Sequence, residues 1–137
     1  MTSHANTHTT ATAYRERNVM TASPGELTLM LYDGCLKNVK LMRMNIEKGD
    51  VEKVHESAMK AQAILGELMR SLNLQYEVSQ ELIPLYDFMI GELTAANISK
   101  TPEKTDAVLE ILTDLRDAWQ QAVRIHRQHV MGTGNSI

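Results

Sequence analysis

The segment from residue 23 to residue 48 constrains the fold most, because it opens with a strong helix start signal and is apolar around most of its circumference. Ser23 precedes Pro24 and lies three residues before Glu26, which is the spacing of a capping box with proline at the first helical position. Most of the charged positions fall within roughly 80–100° of the helical wheel. A helix of a small bundle needs only about three apolar positions in seven, so the surplus apolar face requires a second partner.

Residues that cap helices define the bounds of the first two helices. The first is predicted over residues 24–48 and ends at Gly49, a residue suited to a left-handed C-terminal cap. Asp50 then caps the second helix, and so short a connection makes the two helices antiparallel. The second helix carries apolar residues at alternating spacings of three and four, the pattern of a bundle seam: Val51, Val54, Ala58, Ala61, Leu65, Leu68 and Leu72.

The third and fourth helices follow a loop predicted around residues 73–79. Proline is tolerated only in the first turn of a helix, so Pro84 makes the regular third helix begin near Ile83. Thr101-Pro102 repeats the cap-and-proline signal, and the fourth helix is predicted to run to about His129 with a wide apolar face. The stripe of the third helix consists of Leu82, Tyr86, Met89, Leu93 and Ala96.

These patterns predict an all-α fold, an antiparallel four-helix bundle with a disordered N-terminal leader and a disordered C-terminal tail. Residues 1–22 form the predicted flexible leader, residues 23–130 the bundle and residues 131–137 the tail, since both ends lack helical periodicity and are poor in apolar residues. Tyr14 and Val19 are isolated apolar residues in the leader. We therefore expect them to act as a lid on the surplus apolar face.

Composition excludes several classes of function. The net charge of −3 and the isoelectric point near 5.9 argue against nucleic-acid binding and against an anionic-membrane footprint. No apolar run approaches the ~18 residues of a spanning helix, so membrane insertion is not expected. A single cysteine, Cys35, excludes a disulfide framework and fits a reducing compartment. We expect a cytoplasmic protein.

Catalytic and metal chemistry find little support in the sequence. Glu52 and His55 have the spacing of a di-iron bundle ligand pair, but such a site needs a second pair and two further carboxylates. His126 falls in an apolar stripe, where a lone histidine is usually packed, and Cys35 has no histidine at nucleophile spacing. We therefore expect no enzyme activity, no catalytic residue, no metal and no cofactor.

One alternative concerns His55, because histidine phosphotransfer domains are also four-helix bundles with an exposed helical histidine. Those domains have a lysine and a glycine close behind the histidine, whereas here Lys60 is five residues on and the first glycine is Gly66. Fold alone does not decide function. A phosphotransfer or metal-binding bundle stays open as an alternative, as does a self-associating helical adaptor.

Binding is the function that the sequence favours. Nine methionines in 137 residues, together with the wide apolar faces, are typical of adaptable peptide-binding surfaces, although methionine also fills gaps in cores. Each candidate could equally belong to the core. The candidate client-binding residues are Leu27, Met30, Leu31, Met42, Tyr86, Met89, Leu93 and Trp119.

The motifs also resemble those of a known family, the flagellar secretion chaperones of the FliS family. The resemblance covers about residues 14–120 and is most specific where two Leu-Tyr-Asp motifs follow the capped helix start. The matching residues are Tyr14, Val19, Thr21-Ala22-Ser23-Pro24, Glu26-Leu27, Leu31-Tyr32-Asp33-Gly34, Lys60-Ala61-Gln62, Leu85-Tyr86-Asp87, Ala96-Asn97 and Ala118-Trp119.

The resemblance implies a function and partners. Members of this family hold the disordered C-terminal segment of flagellin, prevent its premature polymerisation and present it to a component of the flagellar export gate. The resemblance also implies a leader that occupies part of the site when flagellin is absent. We accordingly expect a monomer or weak homodimer that binds this segment in an apolar groove.

Overall fold

The computed structural model describes residues 23–135, with side chains through residue 130, and it forms an antiparallel bundle of four helices in this range. The predicted fold class is therefore confirmed. The predicted leader, with Tyr14 and Val19, lies outside the described residues. None of the described helices is long and apolar enough to cross a membrane. The helices are α1 Pro24–Lys48, α2 Val51–Arg70, α3 Glu77–Ser99 and α4 Asp106–Asn135, the last preceded by a 3-10 turn at Pro102–Thr105.

Both ends of α1 form as the sequence predicts. The Ser23 hydroxyl accepts from the backbone N–H of Glu26 at 3.2 Å, and the Ser23 N–H donates to the Glu26 carboxylate at 3.4 Å, which completes the capping box. Gly49 adopts a left-handed conformation with φ 75°, and the Asp50 carboxylate then accepts from the Lys53 N–H at 3.1 Å. The two-residue connection makes α1 and α2 antiparallel.

The core is built chiefly on α1, which packs against both α2 and α4. Much of its wide apolar face is therefore covered within the chain, and an external partner is not needed to explain all of it. Met30 and Met44 are the large apolar residues of α1 that stay exposed. The buried core consists of Tyr32, Cys35, Leu36, Val39, Met42, Val54, Ala58, Ala61, Leu65, Leu68, Tyr86, Met89, Leu93, Ala96, Val108 and Leu112.

The start of α3 differs from the prediction. The helix begins at Glu77 rather than near Ile83, and Pro84 lies in its interior. Pro84 cannot donate to the carbonyl of Gln80, but both residues are exposed, so water can reach that carbonyl. In the added turns, Ser79 is buried and Leu82 packs against the core, which offsets the cost of the missing bond.

Both ends of α4 also differ from the prediction. Thr101 makes no side-chain cap bond, and a 3-10 turn precedes the α-helix. The helix continues to Asn135, so residues 131–135 are helical where a disordered tail was expected. Glycine lowers helix propensity by about 1 kcal/mol but keeps its N–H donor, so Gly132 and Gly134 do not by themselves end the helix.

Polar contacts fix the register of neighbouring helices. Arg116 pairs with Asp33 at 2.8 Å, and Arg127 pairs with Glu26. α4 therefore runs antiparallel along α1, and the C-terminal end of α4 extends beyond the first residue of α1. Gln62 of α2 donates to the Thr94 hydroxyl of α3 at 2.6 Å. By contrast, α3 and α4 pack against each other least of all the neighbouring helix pairs. The bundle is therefore open on the side between α3 and α4.

Candidate functional site

Two adjoining cavities meet at Trp119. The larger, of about 490 Å³, lies between the first turn of α1 and the second half of α4. The smaller, of about 290 Å³, extends to the end of the bundle where α2 ends and α3 begins. Both cavities are lined by Pro24, Gly25 and Trp119, and we name the two adjoining cavities together the Trp119 groove.

Trp119 is held in place from two sides. Its indole Nε1 donates a hydrogen bond of 2.8 Å to the carbonyl oxygen of Gly25, and its ring lies 6.5 Å from that of Tyr32 at an interplanar angle of 53°. A Cβ on Gly25 would approach Val123 Cγ2 to 3.2 Å, so the absence of a side chain lets α1 and α4 come close here. The half-buried indole is therefore a rigid apolar wall with its polar atom already satisfied.

The larger cavity combines apolar walls with a charged rim. Pro24, Ala122, Val123 and Val130 supply apolar surface, and Val130 is exposed. Polar groups lie along its edge, where Arg127 pairs with Glu26 of the capping box. Such a surface suits an amphipathic segment, because the apolar side of the segment is buried while its polar side stays near the charged rim.

Two buried phenols line the smaller cavity. The hydroxyls of Tyr32 and Tyr86 are 2.6 Å apart, joining α1 to α3 through the core. Burial raises the pKa of Tyr32, and the hydrogen bond between Tyr32 and Tyr86 partly opposes this rise. Burial, reinforced by the hydrogen bond to Tyr32, raises the pKa of Tyr86. Both hydroxyls therefore keep their protons at neutral pH.

The open side of the bundle continues the apolar surface beyond the groove. The flank of α3 that bonds to α2 carries Ile90 and Thr94, and helical periodicity places Leu85 and Phe88 on the opposite flank, toward α4. Leu85 and Phe88 are exposed, Phe88 by 47%. The facing flank of α4 is also apolar. We name this surface the α3–α4 seam and define it by Leu85, Phe88, Ile111, Leu115, Ala118 and Ala122.

A separate cavity of about 580 Å³ lies between the outer face of α1 and the first half of α4. It is larger than either part of the Trp119 groove, but Lys37 and Lys40 border it and the ion pair of Asp33 and Arg116 crosses it. None of its lining residues belongs to the seam or to the Trp119 groove. The Trp119 groove and the seam are therefore the better candidate for an apolar binding site.

The structure separates the residues that the sequence proposed for binding. Met42, Tyr86, Met89 and Leu93 are candidate client-binding residues that could equally belong to the core, and the structure buries all four in the core. Their stripe faces the neighbouring helices, and periodicity does not distinguish that face from an open groove. Tyr86 still borders the smaller cavity.

The other proposed residues are accessible but do not form one site. Trp119 lies at the centre of the groove. Leu27 and Leu31 are half-buried and Met30 is 39% exposed, and these residues of α1 do not line either cavity of the groove. Sequence reasoning missed Phe88 and Val123. For Phe88, the sequence signal was that the third helix carries apolar residues on both flanks.

His55 and Cys35, which were considered for phosphotransfer, metal binding or nucleophilic chemistry, make contacts between helices. His55 is exposed, and its Nδ1 lies 3.0 Å from the amide nitrogen of Asn97, which links α2 to α3. The Cys35 thiol donates to the Ala61 carbonyl oxygen at 3.6 Å, and burial raises the pKa of this thiol to about 12. Among the described residues, no three His, Cys, Asp or Glu side chains are grouped as metal ligands would be.

Comparison with known proteins gives a consistent set of matches. The family model described as flagellar protein FliS matches residues 6–126. A flagellar secretion chaperone FliS from Bacillus subtilis (strain 168) is 44% identical over 123 residues, covering 90% of this chain and 92% of the relative. The corresponding chaperone of Salmonella typhimurium is 34% identical, covering 77% and 81%.

A solved structure supports the fold. It is described as a flagellar chaperone from bacteria and superimposes with a TM-score of 0.69, covering 83% of this chain and 97% of its own. Its sequence identity is 21%, so this likeness concerns the architecture.

Proposed function

The chain belongs to the FliS family of flagellar secretion chaperones, and we propose that it binds the C-terminal segment of flagellin in the cytoplasm. In this proposal it keeps flagellin from polymerising before export and presents it to a component of the flagellar export gate. Binding by burial of apolar surface requires neither a cofactor nor a covalent step.

The observation that supports this proposal is that Ala122 belongs both to the wall of the Trp119 groove and to the α3–α4 seam. Large apolar side chains remain exposed along both surfaces, including Phe88 and Val130, and contiguous exposed apolar surface on a protein normally marks an interaction site. The open side of the bundle runs along the helices rather than forming a round pocket. A long client segment fits such a surface better than a small molecule does.

A disordered amphipathic segment gains order when its apolar side is buried in such a channel. Coupled folding of this kind typically buries ~1,000–3,000 Å² and costs ~2–5 kcal/mol in ordering. A short peptide recovers too little contact area to offset that cost. We therefore propose that the client contacts both the Trp119 groove and the seam.

The leader is proposed as a competitor for the same surface. Ser23 borders the Trp119 groove and is anchored by Glu26, which also pairs with Arg127. The leader is therefore joined to the bundle at a residue that borders the groove. Tyr14 and Val19 lie four to nine residues before that point. Since extended chain spans ~3.3–3.6 Å per residue, both residues are within reach of the groove.

Removal of residues 1–20 tests the leader as a lid. All four helices of the described bundle start after Ser23, so the bundle should keep its fold while the apolar surface becomes accessible. We expect stronger binding of an apolar fluorescent dye and an altered affinity for the flagellin segment. A tenfold tightening would correspond to about 1.4 kcal/mol of lid closure. Unchanged dye binding and affinity would show that the leader is an inert tail.

Sedimentation velocity with and without a synthetic peptide of the flagellin C-terminal segment tests the main proposal against self-association. We expect a monomer, or a weak dimer that the peptide dissociates, and a complex with one peptide per chain. A tight dimer that the peptide leaves unchanged would favour a self-associating adaptor through the exposed seam.

A further inference from the structure

The charged residues of α3 all have the same sign. Residues 77–99 contain four acidic residues and no lysine, arginine or histidine, so α3 carries a formal charge of −4 while the whole chain carries −3. The four are Glu77, Glu81, Asp87 and Glu92. A helix with charge of one sign creates a negative potential on the surface where its side chains lie.

Two of these carboxylates lie on the flank of α3 that forms the seam. Glu81 lies four residues before Leu85. Glu92 lies four residues after Phe88. Side chains four residues apart share one face of a helix, so the exposed Glu81 and the half-buried Glu92 bracket the apolar part of this flank. Their backbone positions are about 16 Å apart along α3, or about three helical turns, which is too far for the two to share a metal ion.

The α4 side of the seam adds no compensating charge. The α4 residues that define the seam are all uncharged, and two cations of α4 turn to the other flank, where Arg116 pairs with Asp33 and Arg127 with Glu26. A second copy docked by its own seam would bring the same carboxylates and no cation, since a two-fold contact uses the same surface on both copies. Charge complementarity therefore favours a basic partner of a different sequence.

We propose that Glu81 and Glu92 determine the specificity of the seam for a basic amphipathic helix of the client segment, whose apolar side covers Phe88. This inference rests on the proposed function, because the client is the flagellin segment. A client helix aligned with α3 satisfies both carboxylates when two of its cations lie about eleven positions apart. Lysine and arginine suit these places, since their aliphatic stems lie on apolar surface while the charge reaches the carboxylate.

The variant E81Q/E92Q removes both charges and keeps the shape of both side chains. At an ionic strength of about 0.01 M, we expect the dissociation constant of the flagellin C-terminal peptide for the full-length chain to rise about three- to tenfold, mainly through slower association. The difference from the wild-type chain should shrink at about 1 M, where salt screens the charges. The midpoint of denaturant unfolding should change little, because neither residue belongs to the buried core.

Asp87→Asn is the matched control, because it removes an exposed carboxylate of α3 that points away from the seam flank. It should leave the affinity nearly unchanged. A double-mutant cycle then combines Glu81→Gln or Glu92→Gln with glutamine at each lysine or arginine of the peptide in turn. We expect coupling for one peptide cation with each glutamate. A merely structural role of the two glutamates would give no coupling.

The outcomes separate this inference from the proposed function. If the wild-type chain does not bind the peptide, the proposed function fails and this inference fails with it. If the wild-type chain binds and E81Q/E92Q binds equally well at low salt, this inference alone is overturned. An equal loss with Asp87→Asn would assign the effect to the overall charge of α3 and overturn it too. Tighter binding by E81Q/E92Q would assign the carboxylates to Arg15 and Arg17 of the leader, which also contradicts it.

Discussion

The indole nitrogen of Trp119 bonds to the carbonyl oxygen of Gly25 at 2.8 Å, across 94 positions of the sequence. This bond joins α4 to the first turn of α1 at the point where the two cavities of the Trp119 groove meet. The aromatic wall of the groove is therefore oriented before any client arrives. A rigid aromatic anchor loses little conformational entropy on binding, which favours affinity.

Trp119 is the single tryptophan of the chain, so its fluorescence reports on the groove alone. We expect the emission to shift to shorter wavelength when the flagellin C-terminal peptide covers the half-buried ring. Trp119→Ala should weaken peptide binding by about 2 kcal/mol or more, as expected for a central aromatic anchor. Trp119→Phe keeps the ring and should lose less. An emission spectrum that the bound peptide does not change would place the client elsewhere.

Phe88 tests the contribution of the α3–α4 seam. Its ring is 47% exposed, so Phe88→Ser should change the free energy of unfolding little. It should weaken peptide binding by about 1–2 kcal/mol if the client covers the seam. Ile98→Ser is the control, since this residue is 79% exposed and lies away from the seam flank of α3. If Phe88→Ser and Ile98→Ser changed the affinity for the peptide equally, the seam would not be part of the client-binding surface.

Leu93 tests the assignment of the α3 stripe to the core. Leu93 is fully buried, so Leu93→Ala should lower the free energy of unfolding by about 2–5 kcal/mol. The fraction that remains folded should bind the peptide with wild-type affinity. Met30→Ala at a 39% exposed position should cost much less stability. Urea unfolding of both variants checks the contrast, and a small loss at Leu93 would contradict the described packing.

Cys35 provides a probe of the core with a defined pH dependence. Its thiol pKa is raised to about 12, so near pH 8 the folded protein carries no reactive thiolate. The unfolded chain has an ordinary thiol pKa of about 8.5. Because the folded pKa is the higher one, this thiol contributes stability that is present below about pH 8.5 and lost toward pH 12. Labelling with a thiol reagent near pH 8 should be slow and should accelerate with urea; rapid labelling of the native protein would contradict this burial.

The sequence predicted α1 well because its signals are local. The capping box of Ser23 and Glu26 and the left-handed cap at Gly49 act within a few residues, and the structure has both as expected. The predicted start of α3 was wrong because a tertiary effect, the packing of Ser79 and Leu82 in the core, outweighs the local cost of Pro84.

The candidate site was predicted only in part, since openness is a long-range property. Met89 and Phe88 are adjacent in sequence and both apolar, yet one is fully buried and the other is exposed. Which flank of α3 stays exposed depends on how sparsely α3 and α4 pack together. No local sequence pattern encodes the packing between two helices. Trp119 was found because it lies on the wide apolar face of the fourth helix and is among the residues that carry the family resemblance.

Calorimetric titration of the full-length chain with the flagellin C-terminal peptide tests the central claim most directly. The account predicts saturable binding of one peptide per chain with a negative heat-capacity change, because coupled folding buries apolar surface of ~1,000–3,000 Å². It further predicts that the Trp119→Ala chain, checked to be folded, binds more weakly under the same conditions. Absence of saturable heat with the wild-type chain at several temperatures would contradict the account.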